Sequence, residues 1–178
     1  MVLIKYNYST HKILFYCSRR QSSMSEGKYS KYVITAPTLK GDFPPLAQRM
    51  VYDGLTGGGT GNVGIRYSFF YGPPFQFEVP HRHDYDQFLC FLGTPEDVRV
   101  FDAEVEIWLG DEKEKHTITE STIVHVPAGL LHCPMNYKRI SKPIMLINIT
   151  LGGEYVKKSS KGELLPWKPE DMKKFKKK

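Results

Sequence analysis

Between Arg49 and Leu151 hydrophobic residues come in short bursts, each cut off by glycine, proline or a charged turn. Bursts of this length predict strands rather than amphipathic helices. Residues 63–71 are rich in β-branched and aromatic side chains and stop at Gly72-Pro73-Pro74. Residues 75–79 alternate up to Pro80, and residues 88–92 form a continuous apolar run that ends at Gly93. Residues 98–101, 104–109, 116–118, 123–126 and 144–151 are further strand candidates, with 110–115 as an exposed hairpin connection. No internal repeat is visible. The pattern predicts an all-β domain, a sandwich or one barrel. A single helix signal lies near the end of the chain: Pro169, Glu170 and Asp171 followed by lysines predict a short C-terminal helix or a frayed tail.

The strand period also sorts the histidines. Side chains at i and i+2 share a face, so an extended segment projects His81 and His83 to one side, where one metal ion can be chelated by both. The same register carries Tyr85, Gln87, Leu89 and Phe91 on that side, a polar end running into an apolar floor, as a small-molecule pocket requires. Asp84 and Asp86 have the opposite parity and are expected to face outward or cap a turn. The other face bears Phe88, Cys90 and Leu92, and a strand apolar on both faces needs cover on both. In a small barrel the outer cover is another layer or a second subunit, so a homodimer is expected.

Composition narrows the function class. The net charge of +6 comes from the ends: Lys5, Lys12, Arg19 and Arg20 within residues 1–23, which hold no acid, and five lysines in the last six residues. The body between them is negative, about −3, whereas a nucleic-acid binder carries its positive charge on a folded face. Neither nucleic acid nor membrane is expected as a partner, since no apolar run approaches the ~20 residues of a membrane span. Cys17, Cys90 and Cys133 form no close pair, which argues against a thiolate zinc site or a disulfide framework and suggests a reducing, cytoplasmic setting. Residues 1–24 are read as an extension without a catalytic role, with an organelle address as the alternative, residues 25–157 as the barrel, and 158–178 as a basic tail. Gly59-x-Gly61-x-x-Gly64 matches a dinucleotide fingerprint, but a strand-like stretch follows it where that motif needs a helix, so a turn between strands is expected.

A second segment completes the candidate site. Pro127 and Gly129 make a turn after an apolar strand, and His132 follows at once. His81-x-His83-x-x-x-Gln87 with a later Gly93, and Pro127-x-Gly129-x-x-His132-x-x-x-Asn136, together resemble the two motifs of the cupin superfamily over roughly residues 49–151. The resemblance implies a single double-stranded β-helix, a jelly-roll barrel, with His81, His83 and His132 as ligands of one divalent transition metal: Fe, Mn, Zn, Ni or Cu. Two positions depart from the motifs. Ser121 replaces the first glycine of the second, and Gln87 replaces the usual carboxylate ligand of the first. Gln87 is then a weak fourth ligand through its amide oxygen or a partner of bound water. Three neutral imidazoles leave a divalent ion at its full +2, which favours an anionic, chelating small-molecule substrate. Oxygenase or lyase/isomerase chemistry is implied. The rivals are a metal or small-molecule binding module without turnover, and a metal-free cupin in which histidines act as acid and base.

Tyr85, Tyr67 and Asn136 are the remaining pocket candidates, with core packing as the alternative for the tyrosines. Arg66 and Arg82 are weighed as a grip on a substrate carboxylate, and Arg82, of the wrong parity, is placed at the surface. His125 is read as structural, His116 as exposed and Cys133 as a buried thiol, while His11 has no assigned role. Glu104 and Glu106 are expected outward, with Trp108 unaccounted for on their side.

Overall fold

The computed structural model describes residues 28–34, 38–40, 48–54, 61–94, 96–165 and 173–174. After a single 3-10 turn at Ser30–Tyr32 the described elements are eleven strands. These are β1 (Thr38–Lys40), β2 (Gln48–Asp53), β3 (Gly64–Phe70), β4 (Phe75–Phe77), β5 (Gln87–Leu92), β6 (Ala103–Leu109), β7 (Glu114–Ile118), β8 (Thr122–Val126), β9 (His132–Ile140), β10 (Ile144–Thr150) and β11 (Lys173–Lys174). They form two antiparallel sheets, ordered β1-β2-β3-β10-β5-β8 and β11-β4-β9-β6-β7. The domain is all-β, and the two sheets face each other across one apolar core. Among the described residues no helix is long and apolar enough to cross a membrane.

Alternation decides what enters that core. In β3 Arg66, Ser68 and Phe70 are buried while Ile65 and Phe69 are exposed, and in β6 Ala103, Val105 and Ile107 are sealed while Glu104 and Glu106 look out. The far end of the barrel is closed by stacked aromatics, with Phe75 and Tyr137 at 4.5 Å and Phe70 and Tyr137 at 4.8 Å between ring centroids. Burying one such ring contributes roughly 2–3 kcal/mol. Along β5 the inward residues change from Gln87 to Leu89 and Phe91, so the interior is polar at one end and dry at the other.

Two expectations change. Residues 98–101 are a turn rather than a strand: Asp97 accepts from the Val100 and Arg99 backbone amides, and Val98 is 80% exposed. Short apolar runs cannot by themselves distinguish a strand from a loop. The C-terminal helix is replaced at Lys173–Lys174 by β11, which pairs with β4, while Pro169, Glu170 and Asp171 lie outside the described residues. Lys158 pairs with both Arg82 and Leu164, which ties residues 158–164 to the barrel. In the glycine-rich stretch, β3 begins at Gly64 and pairs antiparallel with β2, so a connection between strands stands where a nucleotide fold needs a helix; Gly59 lies outside the described residues.

Candidate metal centre

Backbone pairing brings the two histidine segments together. His81 N–H donates to His132 O at 3.0 Å, and His132 N–H donates to His81 O at 2.9 Å, so the residues stand directly opposite. A third bond, Gly129 N–H to His83 O at 2.8 Å, ties the turn before β9 to the second histidine. Gly129 has φ +83°, a conformation that glycine adopts without a side-chain clash. Asp86 caps the same turn by accepting from Ala128 N–H at 3.0 Å, and it also holds the His125 ring at 2.9 Å.

The three rings meet inside the barrel. Centroids are 4.3 Å apart for His81–His132, 4.9 Å for His81–His83 and 5.2 Å for His83–His132, and each residue is about 1–2% exposed. One ring nitrogen from each lies within 4.8 Å of the others. Each Nδ1 faces a backbone carbonyl: Val79 O at 2.6 Å for His81, Val156 O at 2.5 Å for His83 and Leu130 O at 3.1 Å for His132. A carbonyl only accepts, so every Nδ1 carries the hydrogen and every Nε2 presents a lone pair. The Nε2 atoms of His81 and His83 are buried with no hydrogen-bond partner. Burial holds all three rings neutral. It lowers His132 to about 4, and His83 to about 4 against the opposing bond to Val156. His81 lies well below its ordinary value, from burial first and then from the neighbouring rings.

The barrel is a jelly roll, the fold that the cupin resemblance implies. Its two histidine motifs occupy facing segments of a two-sheet jelly roll and converge at its polar end. No family model and no curated protein matches the sequence. Among solved structures the chain is similar to the polyketide cyclase RemF from Streptomyces resistomycificus, at 11% identity and TM-score 0.42 over 60% of this chain and 65% of that one. It is also similar to oxalate decarboxylase from Bacillus subtilis, a protein with Mn(II) centres, at 13% identity and TM-score 0.44 over 61% and 26% of the two chains. Vicilin from hazelnut, Corylus avellana, gives 14% identity and TM-score 0.41 over 59% and 28%. The chain thus spans about a quarter to two thirds of the length of these proteins.

The donor set of the site fits a divalent transition metal: three neutral imidazoles oriented through Nδ1, of which His81 and His132 line a cavity of about 20 Å³. That volume holds an ion or about one water. Gln87 lines the same cavity, 1% exposed; its Nε2 donates to Asn148 Oδ1 at 3.0 Å and its Oε1 is buried without a partner. Tyr85 stacks on His83 at 5.0 Å, and its hydroxyl accepts from Val156 N–H at 2.9 Å. It buttresses His83 from outside, and a Cβ at Gly152 would lie 2.3 Å from its ring.

Two pocket candidates are elsewhere. Tyr67 alternates with the buried Arg66 and Ser68 and therefore stands on the outer face of β3. Asn136 pairs with Glu106 on the outer face of the other sheet, beside Trp108. Its displacement has a clear cause. Between Leu109↔His132 and Ile107↔Met135, β6 advances two residues and β9 three. The extra residue reverses the parity, so Met135 and Tyr137 enter the core and Asn136 leaves it. Of the charged residues weighed, Asp84 is bound to Lys158 outside, Arg82 reaches Asp111 at 3.2 Å, and His116 sits beside Glu114, half exposed. Cys133 is buried on the cavity wall, where burial pushes its thiol well up.

Sequence reasoning missed the charged layer behind the histidines. Glu78 has φ +65°, which breaks the alternation of β4 and leaves Phe77 and Glu78 both buried. Its carboxylate accepts from Lys157 Nζ at 2.8 Å, with the two side chains 6% and 2% exposed. Tyr155 lines the same cavity, 5.0 Å from the His83 ring, and the Arg66 guanidinium lies 4.5 Å over the Tyr155 ring. Glu78 offered one signal, a lone acid in the apolar run 75–79. Lys157 and Tyr155 offered none, because only the return of the chain after β10 puts them there.

Proposed function

We propose that His81, His83 and His132 hold one divalent transition metal through Nε2, and that the protein is a metal-dependent enzyme for a small anionic, chelating substrate, of oxygenase or lyase/isomerase type. The observation that carries this reading is the convergence of three neutral imidazoles whose Nδ1 atoms are all committed to carbonyls. When bound, such a metal supplies Lewis acidity toward an oxygen ligand. The protein's own residues supply orientation, dryness and charge. Gln87 offers an uncharged oxygen where a carboxylate would lower the charge of the centre. Glu78 lines the cavity, but its charge is matched by Lys157. A divalent ion held by three neutral imidazoles keeps its +2 charge, which supports an anionic ligand.

The test is metal content after purification and after loading with Fe(II), Mn(II) or Zn(II). About one ion per chain is expected, with at least a tenfold loss in His81→Ala. Unchanged content in that variant would overturn the reading.

A second reading, a metal-binding module without turnover, is favoured by the size of the cavity, which leaves no space for a substrate of several atoms in this conformation. Oxygen consumption or product formation across β-diketones, thiols and hydroxy acids separates the two. Turnover by loaded protein that His81→Ala abolishes supports the enzyme.

A further inference from the structure

No described residue donates to Nε2 of His81 or His83 or to Oε1 of Gln87, and all three atoms are buried. Buried acceptors are costly unless a cation or a donor joins them. Gln87 carries such a donor itself, since an amide has an NH2 end as well as an oxygen end. It lines the same cavity as His81 and His132, and about 20 Å³ is the space of roughly one water. A half-turn of the amide therefore points its N–H groups at imidazole lone pairs and fills the site from within. Asn148 of β10 opposes that turn. Its Oδ1 accepts from Gln87 Nε2 at 3.0 Å, across 61 residues of chain. On the ladder Asn148 stands between Arg66 and Leu89. A guanidinium only donates and a leucine side chain neither donates nor accepts, so neither neighbour rewards turning Asn148 round.

We propose that Asn148 is a positioning residue of the metal site: by taking the Gln87 N–H it keeps the amide oxygen toward the ion and leaves the imidazole lone pairs to it. The inference rests on the metal reading above and adds to it a residue that acts through Gln87. A carboxylate at position 87 has two like oxygens and no sense to fix, so the dependence on Asn148 belongs to the amide. A side chain at position 148 that accepts a hydrogen bond preserves the arrangement, and one that cannot accept releases the amide.

Nuclear magnetic resonance of the metal-free full chain tests the sense of the amide. The 15N resonance of His81 Nε2 is expected to move upfield in Asn148→Leu, where the amide turns, and to keep its parental position in Asn148→Asp, where the acceptor remains. Chelator competition tests the consequence for Zn(II). Affinity is expected to fall about tenfold in Asn148→Leu, as on loss of an outer partner at a metal site, and to be at least parental in Asn148→Asp. In a Gln87→Glu background the same Asn148→Leu change is expected to cost less than about threefold, a coupling that mere loss of packing does not produce. If circular dichroism shows that Asn148→Leu has not folded, Asn148→Ala replaces it. A parental His81 resonance or a parental affinity in Asn148→Leu overturns the inference, as does an equal loss of affinity in the two backgrounds. Zinc bound alike by the parent and by His81→Ala is a separate result: it overturns the metal reading, and this inference with it.

Discussion

Replacing Lys157 by methionine keeps the bulk of the side chain and leaves Glu78 buried without its lysine. At 2.8 Å, and at an effective dielectric of ~20, the pair attracts by about 6 kcal/mol. Relaxation and water penetration recover part of that, and loss of one partner of a buried pair typically costs roughly 3–5 kcal/mol. A domain is stable by only about 5–15 kcal/mol, so Lys157→Met removes a large share of the whole. The double variant Glu78→Gln/Lys157→Met removes both charges and is expected to recover at least ~2 kcal/mol of the loss, since isosteric neutral replacement of a buried pair is often tolerated. Urea unfolding followed by far-UV circular dichroism at pH 7 measures both variants against the parent. If Lys157→Met lies within ~1 kcal/mol of the parent, or the double variant is as unstable as the single one, the pair does not neutralise the interior as argued, and the charge reasoning behind the anionic substrate goes with it.

The metal-free protein is expected to lose stability in mild acid. The unfolded chain takes up protons on these histidines near pH 6.5 and the folded chain only near 4, so between those values the unfolded state binds more protons and stability rises with pH. At pH 5 the loss is roughly 2 kcal/mol each for His83 and His132, read as a lower urea midpoint in chelator at pH 5 than at 7.5; equal midpoints would contradict the buried neutral rings. Gln87→Glu places a carboxylate on the cavity wall and is expected to tighten Zn(II) at least tenfold in chelator competition. Unchanged affinity would show that residue 87 does not face the ion.

The sequence alone determined the chemistry and its local register. Alternation put His81, His83, Tyr85, Gln87, Leu89 and Phe91 on one side, and all but the half-buried Tyr85 are inside. The Pro127–Gly129 turn delivered His132, and Asp86 caps a turn, one of the two roles expected of it. These are consequences of the two-residue period and of turn stereochemistry, which act over a few residues. The tertiary structure decided the rest. A bulge in β9 reversed the parity that had placed Asn136 in the pocket, and the inward face of β3 fell to Arg66 rather than Tyr67. Glu78, Lys157 and Tyr155 were drawn together by chain return, with Lys157 79 residues from its partner. Periodicity gives the face of a strand relative to its own neighbours. Which face meets the core, and what charge meets it there, depends on packing between distant segments, and a one-residue shift is enough to change the answer.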